Sequence, residues 1–369
     1  MNPVADHTYM ARAIYLAKKA WYTARPNPRV GCVIVRNGEI VGEGWHQRAG
    51  EPHAEINALM QAGEKARTAT AYVSLEPCNH QGRTPPCSEA LIKAGITRVV
   101  YGLADPHALA SGGISRLKEA GIRVDGPVLE QQSHDLNAGF VKRCQTGLPR
   151  VTLKLASSLD GRSAMASGES QWITGPAARS DVQSLRAENA AIITGIGTVL
   201  EDNPSLNVRE PQSGLAESEL TRMQPLRVVV DSRLRITEGL NILQVSGPVM
   251  VATAKAEGSV DGAEVCSFPN TSGKVDLRAL LLELGRREYS DVLIEAGAKL
   301  AGVFLQEGLV DELVIYMAPK LMGSDAMAML AMPLTTMAEA LALEITDVRA
   351  VGNDWRITAK PDGGICLQA

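Results

Sequence analysis

The sequence predicts an α/β protein built as two domains. Three observations carry that reading. Short apolar, strand-like runs alternate with helical segments, an alternation that implies largely parallel sheets flanked by helices. The pattern restarts with a new strand at Arg150, directly after Cys144-Gln-Thr-Gly-Leu-Pro149. A length of 369 residues amounts to roughly two domains at ~150 residues each. The expected division is 1–146 and 147–369.

Taken in order, the apolar periodicity of residues 10–20 predicts a helix, and Pro26-Asn27-Pro28 a turn. Residues 30–36 form a mostly apolar strand, and Asn37-Gly38 is a hairpin turn into a second strand at 39–43. Pro52 opens a helix running to about residue 65, with Ile56, Leu59, Met60 and Gly63 on one face. A strand at 69–75, a helix at 86–94 closed by Gly95, a strand at 98–102 and a helix at 112–120 ended by Gly121 follow. After the restart, strands are expected at 150–156, 190–195, 226–231, 249–252, 291–295 and 312–317. Helices are expected at 177–188, 277–287 and 300–307. The polar stretch 209–224 reads as a mobile loop. No internal repeat or low-complexity tract interrupts the pattern.

Composition excludes several classes. Apolar residues at 45% and charged residues at 21% are ordinary for a globular chain, which at this length can bury full cores without disulfides. A net charge of −4 and a pI near 5.9 give no global pull toward nucleic acid or acidic membranes. No run approaches ~18 uninterrupted apolar residues, so no transmembrane helix is expected. Residues 1–20 lack a basic segment followed by an apolar core, so no secretory signal is expected either. Six scattered cysteines, at 32, 78, 87, 144, 266 and 366, suit a reducing cytoplasm, where thiols serve as metal ligands or core residues. Aromatics total 4%, with three Phe, which argues against a base-stacking platform.

The strongest chemical signal is His53-Ala54-Glu55 followed by Pro77-Cys78 and then Cys87. Zinc favours nitrogen and sulfur ligands, and a catalytic zinc keeps one position open. His53, Cys78 and Cys87 leave that opening, and Glu55, which does not bind metal, can shuttle the proton of an activated water. The pattern is similar to the H-x-E…P-C-x-x-C signature of zinc nucleobase deaminases, except that eight residues separate the two cysteines here. His53 and Cys87 each sit beside an expected helix start, where negative charge is stabilised and thiolate pKa falls. Cys32 reads as a core thiol. Cys144, Cys266 and Cys366 have no partner at ligand spacing. His46, His80 and His107 read as surface or substrate-contact groups.

At Pro77-Cys78-Asn-His-Gln-Gly-Arg-Thr-Pro-Pro-Cys87 the chain closely resembles the bifunctional deaminase–reductases of riboflavin biosynthesis, where the longer insert is usual. The resemblance includes Pro26-Asn27-Pro28-Arg29-Val30-Gly31, Gly50-Glu-Pro-His53-Ala-Glu55, Lys154-Leu-Ala-Ser-Ser-Leu-Asp-Gly161-Arg and Ser167-Gly-Glu-Ser-Gln-Trp-Ile-Thr174, and covers nearly the whole chain. It implies a cytidine-deaminase-like α/β/α domain followed by a dihydrofolate-reductase-like α/β domain. It also implies two reactions. The first domain would deaminate 2,5-diamino-6-ribosylamino-4(3H)-pyrimidinone 5′-phosphate, with one zinc on His53, Cys78 and Cys87 and Glu55 as proton shuttle. The second would reduce the ribosyl group with NADPH to give 5-amino-6-(5-phosphoribitylamino)uracil. Asn27 would hydrogen-bond the pyrimidine, although a turn-forming asparagine between two prolines would look the same.

The dinucleotide fingerprint G-x-G-x-x-G is absent from the second half; Gly195-Ile-Gly197 keeps only its first two glycines. Glu295-Ala-Gly297 follows a strand and opens a helix, and so offers backbone N–H groups to a phosphate, as a plain strand–helix junction also would. By position in the family's motifs, the resemblance places NADP contacts on Ala156, Trp172, Thr198, Asp202, Ser232, Gly297, Ala298, Lys299, Leu300, Ala301, Gly302 and Val303. It places substrate contacts on Ser170, Arg186, Leu206, Arg209 and Glu295. Arg186 and Arg209 suit a 5′-phosphate as guanidinium forks, or stand as solvated charges. Lys154 and Asp202 are polar groups positioned to assist ring opening or protonation; Lys154 reads equally as an outward strand residue. A homo-oligomer acting on a small molecule is expected, without nucleic acid or membrane. Two other classes stay open. One is a deaminase of another base with a non-catalytic, nucleotide-binding C-terminal half. The other is a structural zinc protein, for which a fourth ligand is missing from the pattern.

Overall fold

A computed structural model describes residues 3–80, 85–209 and 217–362. It separates into two compact units, Met1–Gly147 and Leu148–Ala369.

Unit one runs α1 (Pro3–Lys18), β1 (Gly31–Arg36), β2 (Glu39–Trp45), α2 (Ala54–Ala62), β3 (Thr70–Val73), α3 (Cys87–Lys93), β4 (Arg98–Tyr101), α4 (Gly113–Glu119), β5 (Arg123–Asp125), α5 (Glu130–Leu136) and α6 (Ala138–Thr146). Its sheet has the order β2-β1-β3-β4-β5. Asn37 and Gly38 both take positive φ, so β1 and β2 meet in a tight hairpin whose twist suits the strands. The sheet is therefore mixed and not largely parallel: β1 is antiparallel to β2 and β3, and only β3-β4-β5 run parallel.

Strand β1 is buried on both faces, as its apolar run GCVIVR requires. Met10, Ala13 and Leu16 of α1 pack with Val33 and Val35 on one face. Ala54, Ala58 and Ala62 of α2 pack with Cys32 and Ile34 on the other. The small residues of α2 let it lie close, and Gly44 completes the fit. A Cβ there would stand 2.3 Å from the Ala54 carbonyl oxygen, so only glycine brings the start of α2 down onto the sheet.

Unit two runs β6 (Arg150–Ser158), β7 (Arg162–Ala164), α7 (Pro176–Glu188), β8 (Ala191–Gly195), α8 (Ile196–Asp202), α9 (Glu217–Met223), β9 (Leu226–Val230), α10 (Asn241–Gln244), β10 (Val249–Thr253), β11 (Glu264–Ser267), α11 (Leu277–Arg286), β12 (Asp291–Ile294), α12 (Ala298–Gln306), β13 (Glu312–Ala318), β14 (Met327–Ala328), β15 (Leu343–Val351) and β16 (Asp354–Pro361). Nine strands form one sheet in the order β11-β10-β9-β8-β12-β6-β13-β16-β15. The seven from β11 to β13 are parallel, and β16 and β15 close that edge antiparallel. Leu280, Leu284 and Phe304 fill one face, and Val182, Leu185, Ile242 and Tyr316 the other.

Several elements differ from the sequence reading. Helix α1 starts at Pro3, seven residues early, because Asp6 is held by Arg98 and Tyr72. The helix expected at 52–65 ends at Ala62, where Gly63 turns to positive φ and a 3-10 turn over Gly63–Ala66 follows. In the stretch 209–224, residues 210–216 lie outside the described residues, while Glu217–Met223 is helical. Gln224 exchanges two hydrogen bonds with the Val208 backbone and ties the ends of that stretch together. The β15–β16 hairpin was not foreseen, although Gly352-Asn353 is its turn signal. No helix among the described residues is long and apolar enough to cross a membrane.

Candidate functional site

In unit one, two helix starts and the loop after β3 converge. His53 is the N-cap of α2, in extended conformation after Pro52. Cys87 opens α3 after Pro86, and Cys78 ends the Glu76-Pro77-Cys78 segment. The His53 Nδ1 atom lies 3.6 Å from Cys78 Sγ and 3.3 Å from Cys87 Sγ. The ligand atoms of the three residues lie within 4.8 Å of one another and form the metal-competent cluster found among the described residues. The Cys87 amide, at the helix start, donates to Cys78 Sγ at 3.4 Å. Hydrogen bonding from Cys87, and then from His53, pulls the Cys78 thiol down to about 4. One imidazole and two sulfurs, one of them already acidic, are the donor set that a zinc ion with an open fourth position requires.

Glu55 lies two residues beyond His53, in the first turn of α2, and is 3% exposed. Burial, and then the charge of Cys78, raises it to about 7. A carboxyl group with that value gives and takes protons near neutral pH.

Beside this cluster, Glu76 and Asp105 escaped the sequence reading, and His46 has a more buried setting than it anticipated. His46, read as a surface or substrate-contact group, is buried with 3% exposure. It lies 3.0 Å from the Asn27 amide nitrogen, and burial lowers its pKa. Glu76 accepts hydrogen bonds from the amides of Asp105, Gly112 and Ile114 and so pins the loop before α4 beside Pro77. Asp105 is raised to about 6 by its own burial. The signal available for Glu76 was an acid directly preceding Pro-Cys at a strand end.

In unit two, Glu295 directly follows β12, which pairs with β6. Arg186 of α7 donates to both carboxylate oxygens, at 2.6 and 3.0 Å, and Lys154 Nζ of β6 stands 3.8 Å away. Burial alone would raise Glu295, but Arg186 more than offsets it and the net shift is downward. Burial lowers Lys154 despite Glu295. The structure thus brings Lys154, Arg186 and Glu295 together. The guanidinium expected to face a phosphate is committed here to a carboxylate, through a bidentate pair.

The other residues singled out fall into groups. Thr198 Oγ1 accepts from the Gly297 amide at 3.2 Å, which joins the starts of α8 and α12. Ser170 donates to Asp202 at 3.1 Å. Trp172 is 62% exposed, with the Arg179 guanidinium 4.6 Å over its ring and its carbonyl held by Lys320 at 2.7 Å. Asp160 accepts from Ser158 Oγ and the amides of Met322 and Gly323, and so fixes the turn that carries Lys320; the sequence reading did not single it out. Ser232 accepts from the Val275 amide, and Ala156 pairs with Tyr316 across β6 and β13. The Arg209 amide donates to Gln183.

The glycine-started run at 297–303 divides in two. Ala298, Lys299 and Leu300 fill the first turn of α12, where amides have no intrahelical partner. The Ala301 amide already bonds the Gly297 carbonyl, so Ala301, Gly302 and Val303 are helix interior. Gly302 faces the Ala331 carbonyl, which a Cβ would meet at 2.2 Å. Leu206 is buried in the core with positive φ, so only its main chain is available for contact.

Comparison with known proteins fits this geometry. The family model for the cytidine and deoxycytidylate deaminase zinc-binding region matches residues 3–103, and that for the RibD C-terminal domain matches residues 149–357. The riboflavin biosynthesis protein RibD of Escherichia coli K12 is 49% identical over 357 residues, 95% of this chain and 97% of that protein. A solved Acinetobacter baumannii RibD superposes with a TM-score of 0.91 at 46% identity, over 98% of this chain and 99% of the other. A Thermotoga maritima diaminohydroxyphosphoribosylaminopyrimidine deaminase/5-amino-6-(5-phosphoribosylamino)uracil reductase superposes with a TM-score of 0.87 at 31% identity, over 98% and 100%. Fold and site therefore define a bifunctional enzyme, a zinc-dependent deaminase and an NADPH-dependent reductase in one chain. The two halves have the deaminase-like and dihydrofolate-reductase-like folds of the matched structures. The chain belongs to the RibD family of riboflavin biosynthesis proteins. A non-catalytic C-terminal half is not favoured.

Two outcomes follow from the geometry. A Cβ on Gly113 would lie 1.8 Å from the Pro77 carbonyl oxygen, directly before Cys78. Gly113→Ala should therefore weaken zinc binding by roughly 10- to 100-fold, measured by chelator competition. Glu295 is held below its ordinary value of 4.5, so its contribution to stability is full above that pH and is lost as pH falls through the lower, folded value. Urea midpoints between about pH 5 and pH 3 should fall less steeply in Glu295→Gln than in the parent.

Proposed function

We propose that unit one deaminates 2,5-diamino-6-ribosylamino-4(3H)-pyrimidinone 5′-phosphate at its C2 amine and that unit two reduces the ribosyl group of the product to a ribityl chain. The convergence of His53, Cys78 and Cys87 beside buried Glu55, in a chain alike to RibD over nearly its whole length, supports this most directly.

His53, Cys78 and Cys87 would hold zinc, which supplies Lewis-acid activation of water near neutral pH. Glu55 takes a proton from the attacking water and returns it to the departing amine, so water and the C2–NH2 group become a C2 carbonyl and ammonia. Its burial keeps that proton at the carboxyl, away from bulk water. Asn27 orients the pyrimidine ring.

In unit two, NADPH supplies a hydride. Gly297 and the first-turn amides of Ala298, Lys299 and Leu300 suit a cofactor phosphate, with Thr198 fixing the turn. Ala156, Trp172, Asp202 and Ser232 are its further contacts, as is the main chain leading to Ala301, Gly302 and Val303. Ser170, Leu206 and Arg209 contact substrate. Arg186 holds Glu295 ionised and aimed, and Lys154 gives the proton that the sugar ring oxygen takes as the ring opens.

We assign the enzyme to the cytoplasm, in keeping with five free cysteines among the described residues. We also assign it a homo-oligomeric state through the β15–β16 hairpin. Register puts Ile345, Val348, Ala350 and Trp355 on one face, and all four are exposed on this closing edge. A contiguous apolar face on an edge strand suits a second copy of the chain. Light scattering should return a dimer or larger for the parent and a monomer for the Ile345→Lys/Val348→Lys double variant.

A coupled assay tests the function. Zinc-replete protein given the diamino substrate and NADPH should release ammonia and oxidise NADPH in matching amounts. Glu55→Gln should lower ammonia release by about 10²- to 10⁴-fold while keeping zinc and, when supplied directly with the deaminated pyrimidine, reductase turnover. Full deaminase turnover in that variant would remove Glu55 from the mechanism.

A further inference from the structure

The His46–Asn27 pair has a polarity that can be read from its partners. His46 Nδ1 lies 3.2 Å from the Pro52 carbonyl oxygen, which can only accept, so Nδ1 carries the hydrogen. His46 Nε2 lies 3.0 Å from Asn27 Nδ2, which can only donate, so Nε2 is the bare nitrogen. Two donors or two acceptors would repel at that distance. The chain of bonds runs Asn27 Nδ2–H to His46 Nε2, then His46 Nδ1–H to the Pro52 carbonyl, with one direction throughout.

The two ends of this chain are themselves fixed. Pro52 immediately precedes His53, and its carbonyl also accepts from Asn57. Asn57 is held in turn by the Trp45 carbonyl at 2.9 Å. At the other end, Asn27 sits between two prolines, which restrict its backbone, and its own amide bonds the Ala24 carbonyl. The His46 ring packs edge-on against the His53 ring at 5.3 Å. Asn27 is partly exposed, and its Oδ1 accepts no hydrogen bond from any described residue.

We infer that His46 is a positioning residue for deamination: it fixes the rotation of the Asn27 carboxamide so that Oδ1, an acceptor, is the atom left for substrate. The site therefore selects a ring that presents an N–H or amino group at that point, and it rejects an isosteric ring that presents a carbonyl or bare nitrogen there. This rests on the reading that Asn27 meets the pyrimidine.

The test is a double-mutant cycle in the full-length, zinc-loaded chain, with deaminase KM and kcat, bound zinc and reductase turnover all measured. Asn27→Ala should raise the deaminase KM by tenfold or more. His46→Leu should do the same, with zinc content and reductase turnover kept. The two together should cost little more than either alone. His46→Gln, which has an acceptor and a donor to replace both ring nitrogens, should recover most of the loss. In the parent, long-range 1H–15N correlation should show His46 as the neutral Nδ1–H tautomer. Additive effects would overturn the relay while leaving Asn27 as a substrate contact. An unchanged KM in Asn27→Ala would overturn the reading beneath it as well. If His46→Leu does not fold or loses zinc, the tautomer and the glutamine variant decide, and an Nε2–H tautomer or a failure of glutamine to support binding sinks the proposal.

Discussion

Each half of this enzyme is organised around a carboxylate buried in a place where water cannot stabilise its charge. The two halves resolve that constraint in opposite ways. Among the described residues no cation is hydrogen-bonded to Glu55, and its pKa rises to about 7, which suits it to the proton-carrying role proposed for it. Glu295 is gripped by Nε and Nη2 of Arg186 and faces Lys154, so it stays a fixed anion below the ordinary carboxylate value. The same side chain becomes an acid–base group or an electrostatic anchor according to whether an arginine stands opposite it.

The scaffolds deliver these groups by related means. The groups proposed for catalysis and binding sit where strands end and helices begin, because helix starts carry amides without partners. His53, Cys87 and Gly297 are all at such starts. Close approach does the rest. Gly44 lets α2 settle on the sheet with Glu55 beneath it, and Gly113 leaves room for the Pro77 carbonyl beside Cys78. A methyl group at either point would have to move backbone, and that backbone carries the His53, Cys78 and Cys87 cluster.

The residues around the chemistry were unequally legible. The His53, Glu55, Cys78 and Cys87 constellation is a local matter of residue type and spacing next to prolines, so it could be read directly. The partnership of Arg186 with Glu295 joins positions 109 residues apart, and nothing in either neighbourhood announces it. His46 read as a surface or substrate-contact group because its partners, Asn27 and the Pro52 carbonyl, are set by the packing of the chain after β2 against the turn before β1. The contribution of 297–303 also changed character. Helical hydrogen bonding leaves only the first-turn amides available, and Gly302 serves packing against Ala331.

By itself the sequence determined the α/β class, most strands and helices, the restart near residue 150 and the His, Cys, Cys set that gathers into one metal-competent cluster, because these depend on local periodicity, turn chemistry and ligand spacing. Tertiary structure alone decided that the first sheet is mixed, that a C-terminal hairpin closes the second, and which buried charges are paired. Those outcomes depend on strand order and on desolvation. Both arise only when segments distant in the chain exclude water from one another.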